Sequence, residues 1–571
     1  MLHPTTNKRR VAINLNGIWD FAVVADDHDA KAPLPFPTPI GVPSSYGEVF
    51  PDAMVRDHVG KVCYERRISV PAIPDVEWRL WFGAAAHRAE VYAEGILLGR
   101  HDGGFLPFEV RLPEDLALTG SFRLSVVLDN RLDFSTLPIG EIEERDGRRY
   151  QRINHDFANL TGIHRDVFLC AFPKVAIDDV VVATKGHGPT ARVTYASDAE
   201  GKTRATILDP EGLVVARCDG STGDVVLSDP ILWDLGRGNL YTLRLETATD
   251  EVEVRFGIRD VEVKDGRFLL NGKPVFFRGF GMHEDHPLVG KASIPALNAK
   301  DFALLQWTNA NSFRTSHYPY SDEMLDLADR LGILVIDEVP AVGMNYWSNR
   351  PVFAEGGVDG RTLSVHREQL TDLVARDKNH PSVVMLSVAN EAATYEAAAG
   401  PYFEAVFKHA RELTDLPLMI VENVGARETK AAMFADVIGV NRYVGWYVDV
   451  GDLDAIAPKL ERELREYHET FGKPVFLTEF GADTIAGNHA LPPAIFSEEY
   501  QVEFLKIYHE TVAKLSFMIG EHVWNFADFA TKQGITRFDG NRKGVFTRDR
   551  RPKMAAHWLR DAWKEADDGS S

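Results

Sequence analysis

After about residue 262 the chain cycles through one pattern, a short buried-looking apolar run followed by an amphipathic stretch. The runs cover 275–279, 312–315, 334–338, 383–390, 419–422, 437–441, 475–478 and 521–524. Between them, segments such as 321–331, where Met324, Leu325, Leu327 and Ala328 recur at helical spacing, and 500–515 read as helices. Such alternation is what βαβ units and a parallel sheet require. Eight strands over about 310 residues fit a (β/α)8 TIM barrel with inserted loops. A doubly wound sheet fits the alternation nearly as well, but eight regular units favour closure.

From about 10 to 260 the grammar differs. Short segments with period-two alternation, among them 78–82, 89–92, 122–128, 167–169, 191–195 and 240–245, are punctuated by Gly, Pro, Asn and Asp. That pattern predicts antiparallel β-sandwiches, and the length suits two. Ala171-Phe172-Pro173-Lys174 closes one run, so the expected domains are 1–175, 176–261 and 262–571, with a frayed tail at 567–571.

The 571 residues carry 84 acidic and 63 basic side chains, a formal charge of −21. No Lys/Arg tract is longer than Lys8-Arg9-Arg10, which argues against nucleic acid or an anionic membrane as partner. Cys63, Cys170 and Cys218 are too few and too widely spaced for a disulfide framework or a metal knuckle. No apolar run follows the first basic residues, so no signal peptide is expected, and no window reaches a membrane span. These features predict a cytoplasmic protein.

Barrel active sites lie at the C-terminal ends of the strands. Two strands end in glutamate there: 383–389 runs into Asn390-Glu391, and 474–477 into Thr478-Glu479-Phe480-Gly481. A carboxylate at the end of a hydrophobic run is costly unless it faces solvent or a partner. If these are the fourth and seventh strands, the two carboxyls face each other across the mouth, as glycoside hydrolysis needs. Asn390 is placed for a sugar 2-hydroxyl, and Arg314 to lower the pKa of a nucleophilic carboxylate. Tyr443, Trp446, Tyr447 and Trp524 supply faces on which sugar rings stack. His283-Glu284-Asp285-His286 lacks the spacing of a zinc helix, and no metal is expected there.

Beyond these features the chain resembles the β-glucuronidases of glycoside hydrolase family two over nearly its whole length. The resemblance rests on Asn16-Gly17-Ile18-Trp19, Gly103-Gly104-Phe105, His155-Asp156-Phe157 and Gly162-Ile163-His164-Arg165. It continues through Arg314-Thr315-Ser316-His317-Tyr318-Pro319, the run from Arg376 to Ser382, Asn390-Glu391, Asn441-Arg442-Tyr443, Thr478-Glu479-Phe480-Gly481 and the run from Trp524 to Phe529. It implies a jelly-roll β-sandwich, an immunoglobulin-like β-sandwich and a catalytic barrel. It also implies retention at the anomeric carbon, no metal or cofactor, and a homo-oligomer, dimer or tetramer. On this match Glu391 is the general acid/base and Glu479 the nucleophile, with His317 beside them.

Within the family, Asn-x-Lys after the eighth strand separates uronidases from galactosidases and mannosidases; here it reads Asn541-Arg542-Lys543. An ammonium with an amide beside it supplies charge and direction for a sugar carboxylate. Arg537, Tyr447 and Asn441 match positions lining the same subsite, and Asp156 a carboxylate that reaches the distal hydroxyls. Ala392-Ala393 follows Glu391 where the family commonly has proline, and the 345–361 segment, with Tyr346 and Trp347, is short. The resemblance implies an exo-acting enzyme on β-glucuronides. The nearest alternative is a β-galacturonidase, which keeps the carboxylate clamp. A non-catalytic carbohydrate-binding protein would have lost one of the two glutamates.

Overall fold

The computed structural model describes residues 2–568. The alternating segments near the N-terminus form a jelly-roll sandwich. A four-stranded sheet, in the order Val11–Asn14, Val167–Pro173, Val76–Phe82 and Phe108–Leu112, covers one side. A six-stranded sheet, in the order Thr38–Val42, Gly17–Val23, Lys61–Ser69, Ser121–Asp129, Arg88–Ala93 and Ile96–Asp102, covers the other. Trp19, Tyr64, Leu80, Val91, Leu124 and Leu169 fill the core between them.

An immunoglobulin-like sandwich follows, pairing the three strands Val180–Lys185, Thr190–Ser197 and Thr222–Ser228 with the four strands Val214–Asp219, Arg204–Leu208, Tyr241–Glu246 and Glu251–Phe256. Successive side chains point to opposite faces of a strand, so Ala191, Val193 and Tyr195 are buried while Thr190 and Arg192 are exposed.

The remainder is a closed parallel barrel. Its strands, first to eighth, are Phe277–Gly281, Ser312–Arg314, Leu334–Glu338, Val383–Asn390, Leu418–Glu422, Val437–Asn441, Val475–Glu479 and Met518–Val523. Each is covered on both faces, which is why these runs are continuously apolar rather than alternating. The first begins two residues later than the alternation predicted. A small sheet of Val261–Lys264, Arg267–Leu270 and Lys273–Pro274 closes the N-terminal end, where Phe268 and Leu270 pack with Trp233 on Phe277, Leu334 and Phe476.

The helix expected over 321–331 is Asp322–Leu331. Asp322 and Glu323 sit in its first turn and Arg330 in its last, and left-handed Gly332 ends it. The last helix, Met554–Asp568, runs into the first two residues of the expected tail; the rest of that tail lies outside the described residues. Among the described residues no helix is long and apolar enough to cross a membrane.

Two sequence motifs hold the domains together. Asn379 donates to the Val180 carbonyl at 2.8 Å and accepts from the Val182 amide at 2.9 Å, and Lys378 pairs with Asp179 at 2.6 Å. The 376–382 run therefore fastens an edge strand of the second sandwich to the barrel. The His283–His286 run fastens the first: Glu284 pairs with Arg165 at 3.0 Å, and Asp285 accepts at 2.7 Å from Nε of Arg548, which itself pairs with Glu48 of the sandwich at 2.7 Å.

Candidate active site

The two strands that carry most of the site are both irregular. The fourth shifts register against the fifth between Ser387 and Asn390, and the sixth against the seventh between Val440 and Asn441. Such bulges re-aim side chains at the ends of strands. Asn390 closes the fourth strand, and Glu391 follows with φ of 52°, in the left-handed region that costs a non-glycine residue about 1–2 kcal/mol. Its amide is held by the Val421 carbonyl at 2.9 Å. After Glu479 the seventh strand comes close to the eighth: a Cβ on Gly481 would lie 1.9 Å from the Trp524 carbonyl oxygen, so glycine is required there.

Arg314, fully buried at the end of the second strand, ties the mouth together. Its Nη1 donates to both oxygens of Glu338 at 2.9 and 2.8 Å, and its Nη2 donates to Glu479. Tyr443 donates its hydroxyl to the other oxygen of Glu479 at 2.7 Å. His317 sits 2.8 Å from Glu338 through Nδ1 and 3.7 Å from Glu479 through Nε2, and stacks on Trp524 with centroids 5.1 Å apart. Asn441 donates to Glu391 at 2.8 Å and to Asn390 Oδ1 at 3.3 Å.

Both carboxyls are pushed above the usual glutamate range. Burial is the main cause in each case. Glu479 rises to about 8, with Arg314 pulling it down and the neighbouring Glu391 charge pushing it up. The sequence reading expected Arg314 to lower this carboxyl; it acts in that direction, but desolvation outweighs it. Two like charges in one dry pocket titrate as a pair, so the site holds a single proton near neutral pH. The donors decide where the negative charge rests. Glu479 accepts from a guanidinium and a phenol, whereas Glu391 meets neutral amides.

A second cluster lies to one side. Arg537 binds Asp156 through Nε at 2.8 and 2.9 Å and reaches the Tyr447 hydroxyl through Nη2 at 2.6 Å. Asn541 donates to Asp156 at 3.0 Å and accepts the Lys543 amide at 3.0 Å. Lys543 Nζ donates to Tyr447 at 2.8 Å and pairs with Asp483, its side chain fully buried and that of Asp483 2% exposed. Its ammonium lies 4.7 Å from the Tyr447 ring centroid.

These groups surround a cavity of about 870 Å³. Of the expected residues, Asp156, His317, Asn390, Glu391, Asn441, Tyr443, Tyr447, Glu479, Trp524 and Arg537 line it. Arg314, Asn541 and Lys543 stand immediately behind that wall, because Tyr447, Arg537 and the two carboxylates cover them.

Family models match the chain in three consecutive pieces. The sugar binding domain of glycosyl hydrolases family 2 matches residues 13–173, the central family 2 domain matches 175–259, and the family 2 TIM barrel domain matches 261–567. The chain belongs to glycoside hydrolase family 2. A β-glucuronidase of Paenibacillus borealis is 45% identical over 99% of each chain. The solved β-D-glucuronidase structure of Dictyoglomus thermophilum superposes with a TM-score of 0.96 at 44% identity, covering 99% of each chain. A Ruminococcus gnavus β-glucuronidase in complex with D-glucuronic acid superposes at 0.93, with 35% identity over 98% of this chain and 99% of that one.

This family 2 site also contains residues that sequence reasoning did not pick out. Glu338 anchors Arg314 and His317, and Ser387 donates to it at 2.7 Å. Arg314 and His317 outweigh burial and hold its carboxyl below the ordinary range. Its signal was present, since Glu338 ends a strand as Glu479 does. Asp483 neutralises Lys543, and Asn423 lines the cavity beyond Glu391. Neither announces itself in the sequence.

Proposed function

We propose that this family 2 chain is an exo-acting, retaining β-glucuronidase. The observation that carries the reading is the pairing of a two-glutamate centre with a flanking cluster of Arg537, Tyr447, Asn541 and Lys543. A sugar bound between them would present its anomeric carbon to the glutamates and its C6 carboxylate to the cations. Arg537 and Tyr447 line the cavity there with Lys543 directly behind them, and charge-assisted donors of this kind suit a carboxylate. A neutral hydroxymethyl group would gain nothing from their charge. The D-glucuronic acid complex of the Ruminococcus gnavus relative supports the same sugar.

In the first step Glu479 attacks the anomeric carbon while Glu391 delivers the shared proton to the glycosidic oxygen, and the aglycone leaves. Glu479 loses its charge in the glycosyl-enzyme. The pKa of Glu391 then falls, and as a carboxylate it takes a proton from the attacking water. Asn390 and Asn441 are set to hold the sugar 2-hydroxyl, a contact that strengthens in the transition state, and His317 and Trp524 to flank the ring. Asp156 is oriented by Arg537 and Asn541 toward the distal hydroxyls.

The same reading carries a cytoplasmic homo-oligomer, dimer or tetramer, which light scattering measures directly. The decisive assay compares p-nitrophenyl β-D-glucuronide, β-D-galacturonide and β-D-glucoside. Fast release from the glucuronide alone is expected, and equal rates on the uncharged glucoside would sink the assignment.

A further inference from the structure

The fifth strand also stops on a glutamate, and neither step of the mechanism uses it. Glu422 is fully buried and lies outside the cavity lining, between the loop that follows the fourth strand and the loop that follows its own. Its Oε2 accepts from the Thr394 hydroxyl and its Oε1 from the Thr429 hydroxyl, each at 2.6 Å. Both threonines are buried. Thr394 belongs to the turn that begins at Glu391, and its carbonyl accepts from the Lys430 amide at 2.8 Å. Thr429 accepts from the Ala431 amide at 3.1 Å and so closes the loop that begins at Asn423. The residues on either side of Glu422 both reach the acid. The Val421 carbonyl holds the Glu391 amide at 2.9 Å, and the Asn423 side chain hydrogen-bonds the Glu391 carboxyl. A residue held at φ of 52° keeps that conformation only when its surroundings over-determine it. Ala392 and Ala393 carry no polar side chain, so Thr394 is the first residue after Glu391 whose side chain is able to anchor the turn.

We propose that Glu422 is a positioning residue for general-acid catalysis: by gripping Thr394 and Thr429 it locks together the two loops that aim the Glu391 carboxyl at the glycosidic oxygen. It touches no substrate itself. Burying a carboxyl is costly unless its lone pairs are matched, and two hydroxyls from separate loops match this one. Apolar side chains would fill the same space without fixing a direction. Direction is what proton transfer needs, since a displacement of about 1 Å can cost about 10²-fold in rate. Glu479 is held separately, by Arg314 and Tyr443, so the grip acts on the acid and not on the nucleophile. Burial pushes the Glu422 carboxyl up to about 7, with the two hydroxyls and Arg442 opposing it. The neutral acid is thus well populated near neutral pH, and a glutamine can stand in for it, its amide accepting from one threonine and donating to the other.

This inference rests on the β-glucuronidase reading, and the experiment separates the two. Values of kcat/KM, which report the step in which the aglycone leaves, are measured for p-nitrophenyl and methyl β-D-glucuronide. They are taken for the parent and for the Glu422→Ala, Glu422→Gln and Thr394→Val variants. Nitrophenolate departs with little protonic help and methoxide does not, so the ratio of the methyl to the nitrophenyl value reports on the acid. That ratio should fall about tenfold or more in Glu422→Ala and Thr394→Val, and should stay close to the parent's in Glu422→Gln. Thr394→Val keeps the shape of the side chain, and it decides the question if Glu422→Ala does not fold. An unchanged ratio in Thr394→Val overturns the proposal, and so does a loss shared equally by both substrates, which would assign Glu422 to structure alone. A Glu422→Gln variant as impaired as Thr394→Val refutes the hydrogen-bonded grip, and a parent that cleaves only the nitrophenyl substrate has no effective acid to position. A parent that cleaves neither glucuronide overturns the β-glucuronidase reading and the inference with it.

Discussion

Lys543 and Asp483 form an ion pair from which water is excluded, the lysine side chain having no exposed surface. The positive charge offered to a sugar carboxylate is thus already balanced, as is that of Arg537 by Asp156. A chain with a net charge of −21 can in this way hold two cations beside a substrate site without leaving either unpaired in a dry interior.

The pairing sets the outcome of the most direct mutation. Lys543→Ala removes the cation behind the uronate subsite and leaves the buried Asp483 with only the Arg537 guanidinium 4.0 Å away, so it should cost about 3–5 kcal/mol in stability as well as activity. Adding Asp483→Asn to Lys543→Met should restore most of the melting temperature but not glucuronide hydrolysis. Denaturant melts and initial rates on the same samples check both halves. A double variant no more stable than Lys543→Ala would contradict the burial argument.

Glu479→Gln should abolish turnover while stabilising the protein. The buried Glu479–Glu391 pair holds one proton up to about pH 8, whereas unfolded glutamates release theirs near 4.5. Between these values the native state binds more protons than the unfolded state, so this group makes stability fall as pH rises. A neutral glutamine removes that loss. The gain in melting temperature should be small at pH 4.5 and largest at pH 8 or above, and the reverse trend would show that Glu479 ionises freely in the fold.

For Glu391→Gln the loss should depend on the leaving group. A p-nitrophenolate departs with little protonic help, whereas an alkyl alkoxide needs a full proton. General acid catalysis typically contributes about 10²–10⁴-fold, and the larger figure is expected for an alkyl glucuronide. Equal losses across a series of leaving groups would remove Glu391 from the acid role.

Asn379→Ala strips the bridge between the barrel and the edge strand of the second sandwich, leaving the Val182 amide and Val180 carbonyl without that partner. Stability should fall by about 1–3 kcal/mol, with kcat/KM unchanged. Thermal unfolding and glucuronide kinetics on one preparation test this. A large loss of activity at full stability would mean that the run reaches the site.

The parts of the site that lie at strand ends were legible in the sequence because an apolar run that stops on a carboxylate breaks its own pattern, as at Asn390-Glu391 and Thr478-Glu479. The barrel was legible for a related reason, since strands covered on both faces cannot alternate. Asp483 gave no such sign. It lies in a loop four residues beyond Glu479, and nothing periodic marks a loop position whose importance comes from a lysine 60 residues later. Glu338 ended a strand in plain view, yet its role as the anchor of Arg314 depends on which strands neighbour in the closed barrel. The net direction of the Glu479 shift was likewise out of reach, because local charges can be listed from a sequence but the depth of burial cannot.

The Asp156–Arg537 pair joins a loop of the first domain to one near the end of the chain, 381 residues away. At the 5–20 residues per second of protein synthesis, about 20–80 s separate the two halves of that contact. For that interval a nascent chain has a folded sandwich carrying one wall of the pocket and no opposite wall. The enzyme therefore cannot act while it is being made; its earliest and latest segments must meet before the first sugar can be held.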